Sequence, residues 1–264
     1  MSADPRYEGT GPRTNGAADG ALRRVEELAV AEDHEGWVSR SRVFLTPIAA
    51  PSIMGLFGFM IATLMLGAWQ AGWYGSAATP LLIFPFAMVA GGVLQSVASI
   101  ASFRARDGVA VAVHTAWGSF WLGWGIYELL VATHVLPVIP LGVASPSFAF
   151  WFIALTLVTI FGALGALAQN LGVFITLGTL AAGSALTAAG FYAGSLATLR
   201  AGGWLFVVSA AAAWLTAGAM VLEHSFGRTI IPIGKWTKKG NIPGARATDP
   251  IAYPAGMPGV RVGQ

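Results

Sequence analysis

Residues Phe148–Ala168 read FAFWFIALTLVTIFGALGALA: twenty-one positions without a single charge. A helix crosses the hydrocarbon of a bilayer in roughly 20 predominantly apolar residues, so this stretch alone predicts a membrane span. Five further stretches meet the same test: Ile53–Trp73, Leu81–Ile100, Val109–Ala132, Leu171–Phe191 and Trp204–Leu222. The whole chain agrees, being 55% hydrophobic and only 10% charged over 264 residues. A soluble domain carries about 25% charged residues. The sequence therefore predicts an all-α integral membrane protein, a bundle of six transmembrane helices.

Nearly all the charges lie in the tails and the short connections; Glu128 falls within the outer turn of the third span. Residues 1–45 form a polar tail; its Gly- and Pro-rich first part cannot bury a core, and a short helix is expected over Ala21–Glu35. No signal peptide is read there, so the first span is expected to serve as the internal signal anchor. Residues 46–234 hold the spans, and residues 235–264 form a second, Pro- and Gly-rich tail expected to be disordered. Arg40, Arg42, Arg104, Arg106, Arg228, Lys235, Lys238 and Lys239 fall on one side of a six-span arrangement, against Arg200 on the other. The positive-inside rule places both termini in the cytoplasm of a multi-pass plasma (inner) membrane protein. The same rule accounts for the basic pI, so no nucleic-acid partner is expected.

Inside the spans the polar equipment is sparse. The connection between the last two spans is expected at Gly194–Gly203, and Pro85 is expected to kink the second. Trp69, Trp73, Tyr74, Trp151 and Trp204 read as interfacial anchors. Trp117, Trp121 and Trp124 lie deeper and form either a packing stripe or a pore wall. Small residues three or four apart (Gly58 and Ala62, Gly162 and Gly165, Gly190 and Gly194) suit close helix approach, within one subunit or between subunits. Cysteine is absent, and the few ionisable groups near spans have no metal-ligand spacing. No nucleophile elbow, phosphate loop or dinucleotide fingerprint stands on a suitable element, so neither an enzyme nor a cofactor is expected.

Three blocks carry a family resemblance. Phe226-Gly227-Arg228-Thr229-Ile230-Ile231-Pro232-Ile233-Gly234 closes the last span, Gly91-Gly92-Val93-Leu94-Gln95 lies in the second, and Gly118-Ser119-Phe120-Trp121 in the third. Together they resemble the signatures of the acetate uptake transporter family, the succinate–acetate permeases or YaaH-like proteins. The opening motif departs from the family: Ala50-Pro51-Ser52-Ile53-Met54-Gly55-Leu56 lacks its asparagine and second proline, and Ser102 and Met220 stand where the family has glutamates. The resemblance implies six-helix subunits that assemble as homo-oligomers, often hexamers. Each would have its own path for acetate, or a related small carboxylate such as succinate, through a hydrophobic constriction carried over to Phe59, Trp117 and Leu180.

No Lys or Arg lies within a span to pair with a carboxylate. Passage as the neutral acid, passive or proton-linked, is one solution. Brief capture of the anion by helix N-termini and neutral donors is the other. Ser52, Gln95, Thr115 and Ser119, with the Trp117 indole N–H, are the expected substrate-binding groups. His114 is expected either to exchange protons or simply to pack. A scaffold or assembly subunit without transport, and a carrier of another small solute such as ammonium, are the alternatives.

Overall fold

The computed structural model describes residues 48–235, together with Gly20 and residues 23–25. The chain divides into two units. In the first, Met1–Pro47 with Pro250–Gln264, the described residues are helical; the rest of the helix expected over Ala21–Glu35 and the tail beyond Lys235 lie outside the described residues. The second, Ile48–Asp249, contains six long helices among its described residues. They are α1 (Pro51–Ala71), α2 (Thr79–Ala105), α3 (Gly108–Ala132), α4 (Pro146–Ala166), α5 (Leu171–Ala193) and α6 (Leu196–Phe226).

Five of the six are long and apolar enough to cross a membrane; α3, though 25 residues long, is less apolar. The reason is its place in the fold. It packs against α1, α2 and α4 and buries His114, Glu128 and three tryptophans. Lipid offers no hydrogen bonds, so the ionisable groups of such a helix turn toward protein. The opposite composition marks the surface: Leu82, Phe86, Val93 and Ile100 of α2 and Phe150, Leu157 and Phe161 of α4 are all exposed.

Glycines set how closely the helices approach. Gly67 and Gly203 bring α1 and α6 together: a β-carbon at Gly203 would stand 2.8 Å from the Gln70 carbonyl carbon and 2.9 Å from the Gly67 oxygen. Gly190 receives Leu199 of α6, Gly162 receives Val113 of α3, and Gly58 lies against the Ala90 carbonyl. The small residues noted in the sequence thus pack helices within this one subunit.

One expectation is revised. The last span begins at Leu196, not near Trp204, and the connection before it shrinks to Gly194 and Ser195. Gly194, at φ 65°, ends α5, and the Ser195 hydroxyl accepts the Thr198 N–H at 3.3 Å to start α6 at once. Arg200 therefore sits on the first turns of a helix, not in a loop. In α2, the helix continues through Pro85 and widens over Met88–Leu94 into a π-helical turn. Such turns absorb a local mismatch in helix winding.

The closing segment is used structurally. After Gly227 (φ 61°) the chain runs back to the start of α5, where Leu171 and Gly172 donate their N–H groups to the Gly234 and Ile233 carbonyls at 3.1 and 3.0 Å. These are unsatisfied first-turn donors of a helix. Asn170 satisfies another, its Oδ1 accepting from Val173 at 2.9 Å.

Candidate functional site

Three cavities lie one behind another between the bundle's two faces. The face bearing Pro51, Asp107, Asn170 and Phe226 is here called the terminal face; the one bearing Ala71, Thr79 and Leu196 is the far face. One cavity lies near the terminal face, the smallest of the three lies in the middle, and the largest of the three lies toward the far face. Trp117 walls both the terminal and middle cavities; Leu66, Phe120 and Phe152 wall both the middle and far ones.

The terminal cavity brings together Ser52, Phe59, Gln95, His114, Trp117 and Leu180, from α1, α2, α3 and α5. Phe59, Trp117 and Leu180 are 3%, 3% and 1% exposed and form its closed end. The Phe59 and Trp117 rings meet edge to face, 6.3 Å apart at 77°. Beyond them Trp117 also meets Phe120 at 5.3 Å and Phe206 at 6.3 Å, so an aromatic plug separates the terminal cavity from the middle one. The Trp117 indole is held in place: Nε1 donates to Thr159 Oγ1 at 2.9 Å, and that hydroxyl donates to the Leu155 carbonyl at 2.6 Å. The indole N–H expected to serve a substrate is thus spent on Thr159.

Gln95 and His114 form a defined pair. Gln95 Nε2 donates to the Gly91 carbonyl at 2.8 Å, inside the π turn, which directs Oε1 to His114 Nδ1 at 3.1 Å. An amide oxygen only accepts, so Nδ1 carries the hydrogen, and Nε2 of a neutral ring is left as an acceptor. Asp107 adds further acceptors. Its Oδ1 caps α3 through Ala110 N–H and accepts from Gln169 Nε2, both at 3.0 Å, while Oδ2 faces the Ser52 hydroxyl at 3.5 Å. Ser52 therefore points to a carboxylate and does not cap α1, whose N-cap, Ala50, makes no side-chain hydrogen bond.

Thr115 and Ser119 lie elsewhere. Both are exposed on the side of α3 away from the cavities. Thr115 pairs with Ser99 at 2.6 Å and donates to the Val111 carbonyl, and Ser119 donates to the Ala116 carbonyl.

Sequence reasoning did not single out Asp107, Gln169 or Thr159. An aspartate just before Gly108 is a helix N-cap signal; nothing local marks Thr159, whose role depends on a partner 42 residues away. In the middle cavity, Thr63 Oγ1 and Trp121 Nε1 are buried without a hydrogen-bond partner. No Lys or Arg lines any of the three cavities among the described residues. No three His, Cys, Asp or Glu side chains converge among those residues either.

The Escherichia coli K12 protein described as "Succinate-acetate/proton symporter SatP" is 31% identical over 196 residues, covering 72% of this chain and 97% of that protein. An uncharacterized protein of Methanothermobacter thermautotrophicus is 26% identical over 189 residues, covering 70% of this chain and 90% of its own. Among solved structures, "Structure of the bacterial acetate channel SatP" superposes with a TM-score of 0.64 at 26% identity, covering 71% of this chain and all of that one. Residues 39–234 match the GPR1/FUN34/yaaH family, which takes in all six helices and the closing segment, and the chain belongs to that family.

Proposed function

We propose that this protein carries acetate and related small monocarboxylates across a membrane, along the line of cavities inside each subunit, as the neutral acid together with its proton. The observation that carries this is the succession of three cavities whose terminal mouth is lined by Asp107 and His114 and whose centre is an aromatic plug. The descriptions of the related symporter and channel support the substrate class.

Magnitudes favour the neutral form. Moving a carboxylate-sized ion into a low-dielectric interior costs ~20 kcal/mol in the idealised case and still several after relaxation. Protonating an ordinary carboxylate at neutral pH costs roughly 3–4 kcal/mol, at about 1.4 kcal/mol per pH unit. Among the described residues no Lys or Arg on the walls offsets the first cost, so the second is the lower route. His114 Nε2 receives the acid's O–H and exchanges its proton. Past the plug, the unpartnered Thr63 hydroxyl and Trp121 N–H supply donors for the acid's carbonyl oxygen. Phe59, Trp117 and Leu180 pass small, weakly hydrated cargo and hold back hydrated ions.

The basic flanks put the terminal face in the cytoplasm of a plasma membrane. The exposed apolar residues of α2 and α4 face lipid or further copies of the subunit in a homo-oligomer. The test is uptake of labelled acetate by proteoliposomes against empty vesicles, with competing acids at several pH values. Acetate flux above background that falls with competing monocarboxylates supports the reading; flux equal to empty vesicles sinks it and favours an assembly subunit without transport. A second reading rests on the same mouth, whose Asp107 carboxylate also suits ammonium. It predicts ammonium flux that acetate does not compete with.

A further inference from the structure

The far cavity contains a carboxyl group that the proposed path has not used. Glu128, on the last turns of α3, is 7% exposed and lines this cavity. Trp124, one turn earlier, lines the same cavity. The groups around it are known from every side. From α1 come Trp69 and Gln70, from α2 Pro80 and Leu81, and from α4 and α5 phenylalanines. Tyr127 is the one other titratable side chain on the wall among the described residues, and its hydroxyl donates away, to the Pro137 carbonyl at 3.2 Å. Arg200 lies off the wall beside Gly72, and His134 is exposed on the turn after α3.

Gln70 sharpens the point. Its amide nitrogen donates to Thr187 Oγ1 at 2.9 Å and to the Leu199 carbonyl at 2.8 Å, so both N–H groups are spent and the amide oxygen is the end left over. Gln70 therefore offers a ligand only an acceptor, and the Glu128 carboxyl offers a donor only when it carries a proton. A second anion cannot be held by acceptors alone. It can be held if one proton comes with it and lies between two carboxyl groups, as carboxylates in close pairs do.

We propose that Glu128 and the substrate carboxylate share one proton in the far cavity, so that Glu128 converts the abundant anion into the neutral acid at the mouth of the path. This rests on the transport reading above. In the step, the O–H bond of protonated Glu128 breaks as an O–H bond forms on the substrate carboxylate. Glu128 is left as carboxylate and regains a proton from water; nothing is oxidised or reduced. Donor and acceptor are the same chemical group, so the transfer runs close to evenly in both directions.

The test uses the full chain in proteoliposomes with equal pH on both sides, which removes the question of orientation. Exchange of labelled acetate is followed from mildly acid to mildly alkaline pH for the wild type, Glu128→Gln and Glu128→Asp. Expected is equal exchange within about twofold at acid pH, where solution supplies the neutral acid. At alkaline pH Glu128→Gln falls roughly tenfold or more below the wild type, and Glu128→Asp recovers part of the loss. A Glu128→Gln profile that superimposes on the wild type overturns the proposal. Infrared difference spectra on adding carbon-13 acetate give a reading independent of flux. A protonated-carboxyl band that shifts with acetate and is missing from Glu128→Gln supports the shared proton; its absence overturns it. Wild-type exchange no faster than empty vesicles, with that band present, sinks the transport reading and leaves the Glu128 site standing.

Discussion

The imidazole of His114 lies directly over Gly55, so close that a β-carbon at residue 55 would overlap ring atoms Nε2, Cε1 and Cδ2. The ring cannot easily move aside, because Nδ1 is tied to Gln95 and Gln95 is tied to the Gly91 carbonyl. Gly55→Ala is therefore expected to displace the ring, at a cost of about 1–3 kcal/mol as an overpacked site. If Nε2 handles the substrate's proton, acetate flux falls with it and its pH dependence changes in the same way as in His114→Asn. Thermal melting in detergent and vesicle flux measure the two effects separately. A melting point and a flux both unchanged would show that the ring has room the structure does not give it.

The plug depends on the hydrogen bond from Trp117 to Thr159. Thr159→Val leaves the buried indole N–H without its acceptor, a loss of about 1–3 kcal/mol, while Thr159→Ser keeps the hydroxyl and most of the stability. Thr159→Val is expected to loosen Trp117 and alter acetate flux; wild-type flux and stability in Thr159→Val would contradict the locking role.

Phe59→Ala and Trp117→Ala open the constriction itself. Each removes a large, fully packed side chain, so about 3–5 kcal/mol of stability is lost. Acetate flux changes, and larger acids such as succinate gain relative to acetate, because the narrowing that excludes them is gone. Unchanged flux and unchanged selectivity in both, in correctly assembled protein, remove these residues from the path.

The fold was legible because lipid imposes a simple rule: a stretch without charge and long enough to cross must be a helix. The rule failed at Arg200, where a charge and neighbouring glycines look like a loop but Ser195 starts α6 five residues earlier. At the site, Gln95, His114 and Trp117 meet in one cavity, as do Phe59 and Leu180. Their burial and hydrogen bonding come from helices far apart in sequence, so no local pattern could show that the Trp117 N–H is used by Thr159. Helical spacing did contain one clue not drawn on. Ser119 stands two residues from both Trp117 and Trp121, about 200° round the helix at roughly 100° per residue, and so on the opposite side from the tryptophan stripe.

That geometry makes a prediction of its own. Thr115→Val and Ser119→Ala are expected to leave acetate flux within about twofold of the wild type, since both hydroxyls bond to their own helix on an exposed side. Thr115→Val also breaks the contact with Ser99, between α3 and α2, which costs about 0.5–1.5 kcal/mol. A flux collapse in Ser119→Ala, with stability intact, would place substrate on that side of α3 after all.

The closing segment yields the sharpest ranking of stabilities. Gly234 sits at φ 72°, where an L side chain costs roughly 1–2 kcal/mol, and a β-carbon there would also stand 2.5 Å from the Leu171 Cβ. Its carbonyl holds the first N–H of α5, so displacing it also releases that donor. Asn170→Ala removes one cap of the same helix end, about 1 kcal/mol. Lys235→Ala breaks the pair with Glu223, but the two side chains are 28% and 19% exposed, so the charge interaction is partly screened and worth at most about 1 kcal/mol. Gly234→Ala should therefore lower the melting temperature most, Asn170→Ala less and Lys235→Ala least, measured in one detergent at one pH. None of the three residues lines any of the three cavities described above, so the protein that remains folded should move acetate at the wild-type rate per molecule. The reverse order would mean that the ion pair, and not the backbone conformation, fastens the segment to α5.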